Sequence, residues 1–152
     1  MDLEMKIAIG CDLAGFDFKI ELMRAMEQRG YKNILDMGCN SSTEGDYPIY
    51  AGKVAAKVAN GECERGIVIC GTGQGVCMSA NKVPGIRAAL CYDVLPAILS
   101  REHNNSNILA TGAWIVTVEK AISIIEAWIF AKYSGGRHDA RIQQMRELES
   151  SR

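Results

Sequence analysis

Gly66-Ile-Val-Ile-Cys-Gly-Thr-Gly-Gln-Gly75 decides the architecture. Its first half, Gly66 to Cys70, is apolar throughout and reads as a strand covered on both faces. Its second half alternates three glycines, and Val76 to Lys82 can then start a helix. A buried strand that turns through glycines into a helix is half of a βαβ unit. The pattern repeats outward from there. Upstream, Lys6 to Cys11 is a strand, Phe16, Ile20, Met23 and Met26 recur at helical spacing, and Gly30 stops that helix. Asn33 to Met37 is a second strand, and Tyr47 to Asn60 is a helix with Val54, Ala55 and Val58 inward, closed by Gly61. Downstream, Ile86 to Cys91 is a fourth strand, and Asp93 caps a helix to Glu102 with Pro96 tolerated in its first turn. Asn107 to Ala110 is a fifth strand, and Thr117 caps a helix through Tyr133 on an Ile122, Ile125, Ile129 stripe. Gly135-Gly136 ends it, and His138 to Glu149 forms a last, highly charged helix. Strand–helix alternation repeated five times predicts a three-layer, doubly wound α/β sandwich. Its core would be a five-stranded, Rossmann-like parallel sheet, with an extra C-terminal helix outside it.

The 152 residues suit one domain spanning 1–152. Residues 136–152 form the outlying helix, whose narrow Ile142, Met145, Leu148 stripe fits either its own domain or a partner subunit. At 48% hydrophobic and 23% charged the chain reads as globular rather than disordered. A formal net charge of -1 argues against nucleic acid and anionic membranes as partners. The start, MDLEMKIAIGCD, lacks the basic and long apolar regions of a secretory leader. No apolar run approaches the roughly 18 residues of a membrane span. Six cysteines without CxxC spacing and only two histidines argue against a zinc site, and no metal or cofactor is expected. Reduced thiols in a cytoplasmic protein are the expected state.

In an open parallel sheet, ligands meet the carboxyl ends of the strands. The glycines of Gly71 to Gly75 let successive backbone N–H groups converge on an anion or developing oxyanion. The same glycines also suit a tight turn without function. The stretch is neither a Walker A loop nor a GxGxxG fingerprint. Cys70, directly before it, is placed as a base or nucleophile, or as a small buried hydrophobe at a strand end. Asp12 can bond a sugar hydroxyl or cap the helix near Gly15. His103 and Asn104 follow a helix ending, where a histidine serves as an acid/base group or a simple cap. Arg137 and Arg141 stand at i, i+4, spaced to clamp a phosphate or to form a solvated face.

Taken in order, Lys6-Ile-Ala-Ile-Gly-Cys-Asp12, Asp46-Tyr-Pro48, Gly66-Ile-Val-Ile-Cys-Gly-Thr-Gly73, Ala80-Asn-Lys-Val-Pro-Gly-Ile-Arg-Ala88, Arg101-Glu-His-Asn104 and Gly135-Gly-Arg-His138 cover nearly the whole chain. Together they resemble the ribose-5-phosphate isomerase B family, which also holds the galactose-6-phosphate isomerase subunits. The resemblance implies a metal-independent aldose–ketose isomerase of phosphorylated sugars, acting through a cis-enediolate. By position, Cys70 is then the base. Thr72 and the amides of Gly71, Gly73, Gln74 and Gly75 stabilise the enediolate oxygens. His103 opens the sugar ring. Asp12, Tyr47 and Asn104 contact hydroxyls, and Arg137 and Arg141 hold phosphate. The implied assembly is a homodimer or tetramer whose sites are shared between subunits.

The sequence departs from the family pattern at three places. The family's Gly-Ser-Asp-His-Ala-Gly reads Gly10-Cys-Asp-Leu-Ala-Gly15 here, so Leu13 stands where a histidine is usual. Gly112-Ala-Trp114 stands where many members have an arginine after Gly-Ala, and Tyr92 stands where histidine is common. These changes bear on which sugar is taken more than on the chemistry. The alternatives they leave open are a different pentose or hexose phosphate, an unphosphorylated sugar, or a non-catalytic subunit of a hetero-oligomer.

Overall fold

A computed structural model describes residues 3–151. Met1, Asp2 and Arg152 lie outside the described residues, and with them the ends of the expected 1–152 domain and of its 136–152 helix. Five strands, β1 (Ile7–Cys11), β2 (Ile34–Asp36), β3 (Arg65–Cys70), β4 (Ala88–Leu90) and β5 (Ile108–Gly112), form one parallel sheet in the order β2-β1-β3-β5-β4. The helices are α1 (Phe16–Gln28), α2 (Tyr47–Ala59), α3 (Gln74–Ala80), α4 (Val94–Asn104), α5 (Val118–Phe130) and α6 (Arg137–Ser150). A 3₁₀ turn, Leu13–Gly15, joins β1 to α1.

The unbroken apolar run of β3 follows from its two-sided burial. Ile67 and Ile69 point into the core beneath α1, α4 and α5, while Val68 and Cys70 point into the core beneath α2 and α3. Side chains alternate across a strand, so both layers need apolar partners from the same residues. Full burial of each such isoleucine stabilises the fold by about 1.5–3 kcal/mol. The first core is anchored by Trp128, whose Nε1 donates to Ser106 Oγ at 2.8 Å, so its polar edge is satisfied inside the protein. Lys19 is fully buried and held by Asp36 Oδ1 at 2.5 Å and the Cys39 carbonyl at 2.9 Å. This tether pins the loop after β2 beneath β1, where the Cys11 and Cys39 sulfurs stand 3.9 Å apart.

Element boundaries shift where hydrogen bonding is one-sided. The outer strands β2 and β4 are shorter than their apolar runs, because each has a single neighbour. Beyond β4 the Asn81 side-chain amide takes over: Nδ2 donates to the Ala88 carbonyl at 3.0 Å and Oδ1 accepts from the Ala88 N–H at 2.8 Å. Helix α3 begins at Gln74 rather than Val76, since Gly73 at φ 81° supplies the left-handed residue before it. Helix α5 stops at Phe130 rather than Tyr133, because Ala131 is extended. Asp93 and Thr117 cap α4 and α5 through Val94 N–H and Lys120 N–H. On α6 the expected stripe divides: Ile142 is buried, whereas Met145 and Leu148 are exposed.

Candidate active site

The order β2-β1-β3-β5-β4 reverses direction between β1 and β3. At such a switch point the two crossovers leave on opposite faces, and a crevice opens at the carboxyl ends of the two strands. Asp12 follows β1 and Cys70 ends β3, so both are delivered to its rim. A cleft of about 370 Å³ lies there, lined by Asp12, Tyr47, Cys70, Gly71, Thr72 and Gly75, with Ala14, Met78 and Trp114 completing its wall.

The floor is a short loop held from several sides. The Cys70 carbonyl accepts from Ala113 N–H at 2.9 Å and the Gly71 carbonyl from Trp114 N–H at 2.9 Å, which ties the glycine loop to the end of β5. Tyr92 donates its hydroxyl to the Thr72 carbonyl at 2.5 Å. Gly73 N–H donates to Cys70 Sγ at 3.1 Å, and Gln74 N–H donates to Thr72 Oγ1 at 3.3 Å. The nest read from the glycines therefore divides: the Gly73 and Gln74 amides are turned onto the cleft's own catalytic candidates. Gly73 packs beneath the loop against Leu90 and Thr111, and the Gln74 side chain is exposed.

Two rings shape the walls. A side chain on Gly71 would place its Cβ 2.6 Å from Trp114 Cε3, and one on Gly75 would meet Tyr47 Cε2 at 2.8 Å. Trp114 nonetheless remains 73% exposed, so one ring edge rests on the loop and the rest faces the opening. Tyr47 and Met78, also of the lining, are exposed, and so is Leu13, which follows Asp12 in the chain but is not itself a lining residue. Among the lining residues Asp12 is the only formally charged group, and it is acidic. Burial pushes its carboxyl above the ordinary value, opposed by the Gly15 N–H that donates to Oδ1 at 3.1 Å. Asp12 thus fills both roles offered by the sequence, capping the 3₁₀ turn and lining the cleft.

Cys70 is the one cysteine among the lining residues. All six cysteines are free thiols. Burial pushes Cys11 up to about 12 and Cys91 up to about 11, and raises Cys63 and Cys77 above their ordinary value.

The other four candidate residues stand elsewhere. His103 and Asn104 occupy the last turn of α4, and Arg137 and Arg141 the first turns of α6. Helix α4 runs antiparallel to the strands and delivers them to the amino ends of the sheet. There the Gly66 N–H bonds the Asn107 carbonyl and Asn107 N–H bonds the Arg87 carbonyl. In the β3–β5 register Gly66 faces Ile108 and Cys70 faces Gly112. Four residues at about 3.3 Å each separate the two ends by about 13 Å. At this lower end the His103 and His138 rings stack at 4.5 Å between centroids. Gly135 and Gly136, at φ 62° and 61°, turn the chain sharply enough to start α6 at Arg137 beside α4. Burial, then the charges of His103, Arg137 and Arg141, hold His138 below the ordinary histidine value.

One chain therefore carries two half-sets: Asp12, Tyr47, Cys70, Gly71, Thr72 and Gly75 above, His103, Asn104, Arg137 and Arg141 below. Sequence reasoning did not assign Trp114 and Met78 to the wall, Tyr92 to the loop or His138 to the stack. The Gly112-Ala-Trp114 and Tyr92 departures and the Gly135-Gly-Arg-His138 motif singled out three of them, and nothing signalled Met78.

Among the described residues no cluster of histidine, cysteine, aspartate and glutamate is placed to hold a metal ion, and no helix is long and apolar enough to cross a membrane. Residues 7–145 match the model of the Ribose/Galactose Isomerase family. The chain is 46% identical over 147 residues to the ribose-5-phosphate isomerase B of Escherichia coli, covering 97% of this chain and 98% of that one. It is 37% identical to the D-erythrulose-4-phosphate isomerase of Pectobacterium atrosepticum, covering 93% of each. The solved ribose-5-phosphate isomerase B of Clostridium thermocellum superposes with a TM-score of 0.93 at 46% identity, over 97% of this chain and 99% of that one. With the expected sheet, the switch-point cleft and these matches along its length, the chain belongs to the ribose/galactose isomerase family.

Proposed function

We propose that the chain is an aldose–ketose isomerase of phosphorylated sugars, of the ribose 5-phosphate/ribulose 5-phosphate type, with Cys70 as its base. The observation that carries this reading is the seat of Cys70: a thiol at the switch point, with an amide donor on its sulfur and Asp12 and Thr72 across the same cleft. The Cys70 thiolate takes the proton from C2 of the open-chain aldose. The freed electron pair forms the C1–C2 double bond, and the carbonyl oxygen becomes an enediolate oxygen against the Gly71 and Thr72 amides. A proton passes between the two enediolate oxygens, and the Cys70 thiol returns its own to C1, giving the ketose. Asp12 and Tyr47 hold hydroxyls.

The cleft's lining supplies no cation for a phosphate. Arg137 and Arg141, at the opposite end of the sheet in the same chain, serve that group from a second copy packed against the cleft, as His103 serves ring opening and Asn104 a sugar hydroxyl. This makes the working unit a homodimer, or a tetramer built of such dimers, with α6 against the neighbouring subunit. The exposed Leu13, Tyr47, Met78 and Trp114 give that neighbour an apolar rim to cover. Six free thiols fit a reducing compartment, and we place the enzyme in the cytoplasm.

The test is isomerisation of a panel of aldose phosphates by the purified chain alone, repeated with Cys70→Ser. Loss of a general base costs about 10²–10⁴-fold. Activity within about threefold of the parent, at unchanged circular dichroism, removes Cys70 from the role.

A further inference from the structure

A second cavity, about 500 Å³, lies at the opposite end of the sheet from Cys70. Its chemically active lining is Arg65, the first residue of β3, Arg101 in the last turn of α4, and Lys132, just past α5. Arg101 is only 5% exposed, and its Nε is buried without a partner. Its Nη1 is spent on neutral acceptors, Asn105 Oδ1 at 2.9 Å and the Ser106 carbonyl. Arg65 is half-buried over the Trp128 ring at 5.9 Å; its Nη1 donates to the Glu64 carbonyl at 2.8 Å, and its Nε too is buried without a partner. Among the described residues no carboxylate forms an ion pair with any of these three cations. Glu64 is the acid whose charge reaches Arg65, and Asp139 is occupied by the Tyr133 hydroxyl at 2.6 Å.

Burying one guanidinium without a counter-charge is costly, and burying two whose fields overlap is costlier. The strain is visible on Arg101, which burial, and then the charges of Arg65 and Arg87, hold down to about 10. An oxyanion in the cavity offsets the desolvation and the repulsion together, and offers acceptors to the guanidinium N–H groups of Arg65 and Arg101 that make no other hydrogen bond. Two guanidiniums and an ammonium match a doubly charged tetrahedral group better than a carboxylate. We propose that this cavity is a second anion site, distinct from the isomerase cleft, that binds a phosphate group between Arg65 and Arg101 with Lys132 contributing the third positive charge.

The site is tested in the full chain carrying Arg137→Ala and Arg141→Ala, so that phosphate cannot report from the isomerase site. Inorganic phosphate and sorbitol 6-phosphate are titrated separately at constant ionic strength, by calorimetry and by thermal shift. Saturable binding that Arg65→Gln weakens about tenfold or more, and Lys132→Gln to a lesser extent, is the expected result. Arg65 is preferred to buried Arg101 because its replacement spares the core. Tighter binding of sorbitol 6-phosphate assigns the site to the phosphate head of a metabolite, and equal binding assigns it to the free ion. In the otherwise parent chain, Arg65→Gln leaves kcat on an isomerisable sugar phosphate unchanged. Phosphate binding that is indifferent to Arg65→Gln overturns the proposal. So does an Arg65→Gln chain that loses its assembly while binding phosphate as before, for then a partner's carboxylate is the missing anion.

Discussion

Cys70→Ser, inactive alone, and His103→Ala, slow alone on a sugar phosphate that cyclises, should restore one another on that substrate when mixed. The two residues sit at opposite ends of the same sheet, one at the end of β3 and the other in the last turn of α4. The β3–β5 register puts about 13 Å between those ends, several times the reach of a proton transfer. A working site must then take Cys70 from one copy and His103 from the other. In a mixed dimer one site holds both intact groups and the second holds neither. Random reassortment of equal amounts gives mixed dimers as half of the total, so about one quarter of the parental sites are intact by two-fold symmetry. The assay is isomerisation after co-refolding, with native mass spectrometry counting the mixed species. Mixed dimers isolated through two different tags should show about half the parental rate per dimer. If exchange is complete and the mixture is no more active than its components, the two residues act within one chain, and the shared-site reading falls.

His103→Ala should slow turnover of a sugar phosphate that cyclises and spare one held open, because ring opening and enolisation are separate proton transfers; equal losses on both contradict that division. Leu13→His combined with Trp114→Arg should raise kcat/KM for ribose 5-phosphate, since an apolar wall leaves a facing hydroxyl or phosphate oxygen unpaired at about 1–3 kcal/mol each. A parent enzyme that already prefers ribose 5-phosphate over every other sugar phosphate tested rules that out. Acidification from about pH 7.5 to 5.5 should destabilise the protein through His138. Its folded value is depressed, so the unfolded chain binds the proton first and stability rises with pH through this window. Denaturant midpoints measured across that range should show a shallower slope for His138→Gln, and an unchanged slope refutes the assignment.

Strands and helices were legible because their apolar periods differ, and β3 was the clearest because alternate residues feed two cores. Where each strand ends was less legible. Ile86 and Cys91 are as apolar as β4 itself, yet only Ala88 to Leu90 pair with β5, and pairing depends on a neighbour the local sequence does not name. The upper half-site could be read as polar residues at strand ends. The Trp114 ring over Gly71 could not, since that contact exists only because β3 and β5 are neighbours. Nor could the His103–His138 stack, which joins side chains thirty-five positions apart through the Gly135-Gly136 turn. The family resemblance named the lower residues as site residues; their separation from Cys70 within one chain is what only the fold supplies.

Asn81 has a consequence for how the molecule behaves in a crowded solution. An outer strand offers unpaired amides and carbonyls as a template for a neighbouring chain, and long, flat, apolar edges aggregate. Here the Asn81 side chain bonds both backbone groups of Ala88 and so imitates one residue of a further strand. At the opposite edge, β2 is three residues long, with exposed Lys32 and Asn33 before it and Asp36 at its end. A chain adding at either margin would have to displace the Asn81 amide or bury these polar side chains. The sheet that gathers the reactive groups at its ends is thereby kept from growing at its sides.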